Sequence, residues 1–162
     1  MDKAERLALI EEYGQGYAKL VTCLEEIPQK MWQYKPAPIE WSVHEIIIHL
    51  ADSETNSYLR ARRLVAEPGQ PLMAYDQDVW ANKLDYHAQS WQDGLAVLEG
   101  VRKMTYDFIR MLPDEVWENT VVHAENDRPY SFTMWLEIYA AHIPLHIQQI
   151  QDNHAHWLAN QD

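Results

Sequence analysis

His142 and His146 stand four residues apart. On a helix that spacing brings their Cβ atoms within about 5–6 Å on one face. Two imidazoles so placed can converge on one metal ion at the ~2.0–2.1 Å length of a zinc–nitrogen bond. Spacing by itself decides little, because eight histidines in 162 residues would supply roughly 0.4 such pairs by chance. At about 100° per residue, the pair falls among Trp135, Ile138 and Tyr139, on the side that must face a core. Burying imidazoles there is unfavourable unless their nitrogens find partners. A metal ion supplies partners, and so would a backbone carbonyl or a carboxylate; spacing and burial leave both readings open. Pro144 between them deletes the N–H that would bond the Ala140 carbonyl, which costs ~3 kcal/mol in a helix interior. It predicts a kink, which either sets the angle of the imidazoles or serves packing alone.

A helix-borne pair needs a third ligand from elsewhere in the chain. His49 is the candidate, beside Glu45, Asp52, Asn56 and Arg60 on the flank of an apolar stripe. Glu45 and Arg60 read as parts of a solvated face. Asp52, one turn beyond His49, and Gln149, in the same relation to His146, are candidates to orient the imidazoles from behind. Three neutral imidazoles without a carboxylate leave a coordination position open, as in catalytic rather than structural sites. Such a position takes water whose pKa falls toward ~7, or a thiol that the metal deprotonates. Imidazole suits Zn, Ni, Cu and Fe alike, so the ligand set names no ion. His44, His87, His154 and His156 are weaker candidates, and His123, near Glu125 and Asp127, could reach a pocket. Cys23 follows a helical apolar pattern and reads as a packed thiol.

The elements that must carry these residues are helices. Asp2–Glu5 forms a variant capping box, after which Leu7, Ile10, Tyr13, Tyr17, Leu20 and Leu24 recur at three- and four-residue spacing until Pro28. Ser42–Glu45 opens a second helix with Val43, Ile46, Ile47, Leu50, Ala61 and Val65 on its apolar face, closed by Pro68-Gly69. A short helix is expected over Asp76–His87. A third long helix runs from the Ser90 cap to Leu112, and a fourth from Ser131 to about Trp157. Val121 and Val122 could form a short strand or a loop. Four helices of about 20–27 residues can bury their stripes only against one another, which makes the chain an all-α four-helix bundle. Long connections between the first and second, and third and fourth, allow crossovers.

Length fits a single domain over residues 1–162. The formal charge of −12 argues against nucleic acid, which needs clustered Lys and Arg, and against an anionic membrane surface. One cysteine permits no intrachain disulfide, and no apolar run approaches a membrane span. The Met1–Arg6 start lacks signal-peptide character, so a cytoplasmic protein is the expectation. Seven Trp and nine Tyr suit pocket walls as well as cores.

Trp41-Ser42-Val43-His44-Glu45-Ile46-Ile47-Ile48-His49-Leu50-Ala51-Asp52-Ser53-Glu54 resembles the second-helix signature of the DinB/YfiT-like superfamily. Its fourth-helix signature, a His-x-x-x-His pair followed by Gln-Ile, is similar to Ala140–Ile150, and Tyr75-Asp76 with Trp80 looks like an intervening segment of one branch. The resemblance implies a four-helix bundle, frequently a homodimer, with Ni or Zn held by three histidines at one end; here these are His49, His142 and His146. It implies no single reaction, since relatives include thiol-dependent transferases, a thiol-dependent isomerase and proteins labelled only as metal-dependent hydrolases. Two functions are expected on these grounds. One is a metalloenzyme that activates a low-molecular-weight thiol or water for a small-molecule substrate. The other is a non-catalytic metal-binding or interaction module built on a dimeric scaffold.

Overall fold

A computed structural model describes residues 1–123 and 129–161; of His123 only the backbone is described, and Glu125 and Asp127 lie outside the described residues. Four long helices dominate, α1 (Lys3–Glu26), α2 (Val43–Ala66), α4 (Trp91–Ile109) and α5 (Phe132–Ala159), with the short α3 (Gln77–Lys83) between α2 and α4. Each long helix starts where the sequence places a cap. Asp2, Ser42, Ser90 and Ser131 accept backbone N–H bonds from Glu5, Glu45, Asp93 and Met134, satisfying donors that a helix start otherwise leaves orphaned. The expected Asp76–His87 helix is broken in two. Asp76 caps α3, Asp85 adopts a left-handed conformation (φ 47°), and a 3-10 turn covers Tyr86–Ala88. Val121 and Val122 belong to a strand. Pro71–Leu72 (β1), Thr120–His123 (β2) and Pro129–Ser131 (β3) form a small sheet in that order, β1–β2 parallel and β2–β3 antiparallel.

Around the bundle the long helices neighbour one another in the cycle α1–α5–α2–α4, so α1 faces α2, and α4 faces α5, across the diagonals. The two long connections therefore cross the bundle, as their length allows. Direction follows from side-chain pairs. Glu54 meets Arg102 and Ile47 meets Gly94, so α2 and α4 are parallel neighbours. Trp41 meets Asn153 and Ser57 meets Trp135, so α2 and α5 are antiparallel. Parallel neighbours cannot be joined by a tight turn. A 24-residue helix rises ~36 Å, and the chain must travel back along α2 before α4 can start. Residues 67–90 make that journey, leaving His87 against Glu45 and Tyr86 against Asp52.

The core has two large apolar clusters and a small third one of Ile48, Ala81 and Tyr86. One large cluster contains Ile10, Leu64, Trp117, Phe132 and Trp135, and the other Leu20, Trp32, Ile46, Leu50, Leu98 and Ile150. A polar layer lies between these two. Its centre is Arg102 of α4, 1% exposed, paired with the fully buried Glu54 of α2. Arg102 also donates to the carbonyls of Tyr13 on α1 (2.9 Å) and Tyr139 on α5 (3.2 Å), while the Tyr13 hydroxyl donates to Glu54 (2.9 Å). One side chain thus touches all four long helices. Gly16 makes room for it, since a Cβ there would lie 2.6 Å from the guanidinium. Removing one member of such a pair leaves the other charged, buried and alone. Arg102→Met is therefore expected to lower unfolding free energy by about 3–5 kcal/mol, measured by urea denaturation, with the double variant R102M/E54M recovering most of the loss. An R102M chain as stable as wild type would show that the pair does not hold the bundle together.

Candidate metal centre

His49 sits in the second turn of α2, and its ring is 1% exposed. His142 and His146 project from α5 into the same α2–α5 cleft, each leaving part of its ring open to a neighbouring cavity. The Nε2 of His142 lies 3.3 Å from the Nε2 of His49 and 3.3 Å from that of His146. All three ligand nitrogens fall within 4.8 Å of one another. Two nitrogens bound to one tetrahedral ion at ~2.0–2.1 Å are themselves ~3.3–3.4 Å apart. Hydrogen bonding explains the cluster less well, because one imidazole nitrogen carries either a proton or a lone pair and cannot serve two such neighbours well.

The far sides of the rings differ. If Nε2 faces an ion, Nδ1 must hold the proton, and an acceptor behind it fixes the ring. His146 has one, its Nδ1 lying 3.0 Å from Oε1 of Gln149, the relation expected from sequence. The Nδ1 atoms of His49 and His142 are buried with no hydrogen-bond partner among the described residues. Asp52 does not take the place behind His49 expected of it. Its carboxylate instead accepts from the Tyr86 hydroxyl at 2.6 Å, because the returning segment 67–90 brings that tyrosine to the outer face of α2. The residues present fit a divalent metal: three neutral nitrogen donors converge, and among the described residues no carboxylate or thiolate joins them.

Burial keeps the donors neutral. Desolvation, with the positive charge His146 would carry as a second cause, lowers the pKa of His49 to about 3. Desolvation and the two neighbouring imidazoles hold His142 well below its ordinary value, and desolvation lowers His146 despite its Gln149 bond. Trp41 roofs the cluster, its ring 4.5 Å from His49 and stacked 6.3 Å from His146. Asn153 of α5 donates to the Trp41 carbonyl (2.8 Å) and pins that roof in place. Two cavities flank it. One of about 500 Å³ ends at His142 and is lined by Ser53, Arg60, Tyr75 and Tyr139. Another of about 230 Å³ ends at His146 and Gln149 beneath Trp41.

The site lies beside the polar layer, His49 five residues before Glu54 on α2 and His142 three residues after Tyr139 on α5. Several sequence expectations shift around it. Ile138, placed with the core, is 47% exposed and lines the larger cavity. Glu45 is buried rather than solvated, bound by Lys35 (2.9 Å) and His87 (3.2 Å). Arg60 is not a solvated surface charge either; its guanidinium donates to the Tyr139 hydroxyl (3.1 Å) and the Met73 carbonyl (3.3 Å). His44 and His87 stack on each other away from the triad. Pro144 sits inside α5, which continues helical through it, and lines a groove shared with α1.

Comparison with known proteins agrees with this geometry. The sequence model of the DinB superfamily matches residues 12–150. The chain belongs to the DinB superfamily. Within that superfamily it is 25% identical over 145 residues to YfiT of Bacillus subtilis, covering 83% of this chain and 82% of that one. It is 31% identical over 110 residues to a protein of Oceanobacillus iheyensis, covering 68% of this chain and 63% of its relative. Both relatives are named for a metal-dependent hydrolase activity. The solved structure of YfiT, described as a probable metal-dependent hydrolase with an unusual four-helix bundle topology, superimposes with a TM-score of 0.87 at 23% identity, over 94% of this chain and 87% of that one. A metal-dependent function is thus supported by the superfamily relatives together with the three-histidine cluster.

The depressed histidine pKa values have a measurable consequence. Between about pH 6.5, the ordinary histidine value, and the pKa of about 3 at His49, the unfolded chain binds protons that the folded chain refuses. Stability is therefore fully present above that window and falls as pH drops through it. The urea midpoint of the metal-free protein should decline from about pH 7 to about pH 5, and less steeply in His49→Gln. Equal slopes for both proteins would contradict the assignment.

Proposed function

We propose that this protein is a metalloenzyme in which His49, His142 and His146 hold one divalent transition metal ion, Ni or Zn being the best candidates. The observation that carries the reading is the convergence of three imidazoles, the Nε2 of His142 lying 3.3 Å from that of His49 and from that of His146. All three ligand atoms fall within 4.8 Å of one another, with no fourth His, Cys, Asp or Glu joining them among the described residues. A divalent ion there supplies Lewis acidity, lowering the pKa of a water or thiol that takes the remaining position. The chain's own part is to position. Gln149 fixes the ring of His146, Trp41 packs against the rings of His49 and His146, and the flanking cavities admit a small molecule.

Two nucleophiles suit the site. Water is favoured by the hydrolase names of the relatives. A low-molecular-weight thiol as co-substrate is favoured by the surroundings of the triad. The carboxylates nearest the triad on α2 are engaged elsewhere, Asp52 with Tyr86 and Glu54 with Arg102, which leaves Asp76 on the larger cavity and Glu40 and Asp78 on the smaller one as the described carboxylates a water route would draw on. A thiol needs none of them, because coordination deprotonates it outright. Small-molecule chemistry in the cytoplasm by a homodimer, with neither nucleic acid nor membrane as partner, completes the proposal. In support, no described helix is long and apolar enough to cross a membrane.

Reconstitution tests it. The chelator-stripped protein, reloaded with Ni or Zn, is assayed with small thiols plus an electrophile, and separately with activated esters without thiol. Turnover that returns only on reloading is the expected outcome, and the arm in which it appears identifies the nucleophile. A metal-loaded protein inert in both arms, with no thiol-induced spectral change at the metal, would favour a non-catalytic metal-binding scaffold.

A further inference from the structure

Among the described residues Arg60 is a cation without a counterion. Its neighbours are paired, Arg63 with Glu67 (2.9 Å) and Arg102 with Glu54, while Arg62 lies over the Tyr58 ring. No described carboxylate comes within 4.0 Å of the Arg60 guanidinium. In a chain with 25 acidic and 13 basic residues, a half-buried arginine left without an acid needs a reason. Its hydrogen bonds go to neutral groups, the Tyr139 hydroxyl and the Met73 carbonyl, and the Tyr130 hydroxyl lies against it as well. A guanidinium has five N–H donors, so part of its capacity is unspent. The buried Nε has no hydrogen-bond partner among the described residues.

The surroundings are those of an anion-binding wall. Arg60 lines the cavity of about 500 Å³ together with Ser53, Tyr75 and Tyr139, and His142 closes it. That volume is typical of small-molecule sites. Burial pushes the Tyr139 hydroxyl up to about 12 and raises Tyr75 as well, so both stay protonated and able to donate. Arg60 starts eleven residues beyond His49, ~16 Å along the helix, but its side chain leans back toward the helix start and reaches Tyr139, one turn before His142 on α5. A short molecule can therefore span from guanidinium to histidines.

We propose that Arg60 anchors the carboxylate of a small substrate whose reacting end lies at the His49–His142–His146 cluster, an inference that rests on the metalloenzyme reading for that second end only. A single carboxylate suits the wall better than a phosphate does. One guanidinium balances one negative charge, and the Asp76 carboxylate on the same cavity repels any anion, a dianion about twice as strongly as a monoanion.

Calorimetric titration of hexanoate and of hexanol into the full chain, metal-loaded and chelator-stripped, reads the anchor directly. Wild type should bind hexanoate tighter than hexanol by roughly ten-fold or more, the worth of a hydrogen-bonded charge. Arg60→Gln should erase the preference, and Arg60→Lys, which keeps the charge but not the fork, should retain part of it. Thermal unfolding of both variants checks the fold; if R60Q unfolds, weaker hexanoate binding by R60K than by wild type decides. Equal binding of acid and alcohol by wild type, or an undiminished preference in the variants, overturns the proposal. Arg60-dependent hexanoate binding in a protein that takes up no metal would keep the anchor and remove the metalloenzyme reading. A metal-loaded protein indifferent to Arg60 does the reverse.

Discussion

Three Nε2 atoms converge inside this protein, and with a lone pair on each they need a positive charge between them. Protonation is the ordinary way to supply one, and burial forbids it here, holding His49 near 3 and its two neighbours below their ordinary values. A metal ion would supply the charge instead: it would accept from all three nitrogens at once and needs them neutral. Much of the surrounding structure serves to maintain this conflict between burial and charge. Trp41 packs against the rings of His49 and His146, and the two helices that carry the histidines are tied together by the polar layer beside them.

That layer and the topology are linked. Because α2 and α4 are parallel neighbours, Glu54 and Arg102 can meet at mid-height, and Arg102 can reach Tyr13 on α1 and Tyr139 on α5 from there. The same parallel arrangement forces residues 67–90 back along α2. The return path delivers Tyr75 and Tyr86 to the flank of the histidines, and with them the wall of the larger cavity. A site built this way takes its ligands from regular helices and its surroundings from a connection. Connections tolerate change, so the surroundings of the cluster can vary without moving the helices that carry it.

Helix starts were legible in the sequence because caps are local: a serine or aspartate and the acid three residues later specify the geometry without reference to the rest of the chain. The triad was legible for a mixed reason, the His142/His146 spacing being weak alone and the second-helix signature around His49 supplying the third member. What escaped was long-range pairing of polar residues. Glu54 and Arg102 are 48 residues apart, and nothing local marks either as buried. Asp52 looked like a partner for His49 at one turn's distance, yet a tyrosine 34 residues away claims it. Arg60 and Glu45 looked solvated for the same reason, since α2 shows polar residues on that flank whether water or another segment covers them. The small sheet was hard to read because its strands are two to four residues long, too short for a period to show.

The account stands or falls on the ion. Metal content and X-ray absorption of protein purified without an affinity tag, beside a His142→Ala variant, address it most directly. One divalent ion per chain, bound by three imidazole nitrogens and lost or much weakened in the variant, is the predicted result. Equal, negligible metal in both proteins would contradict it.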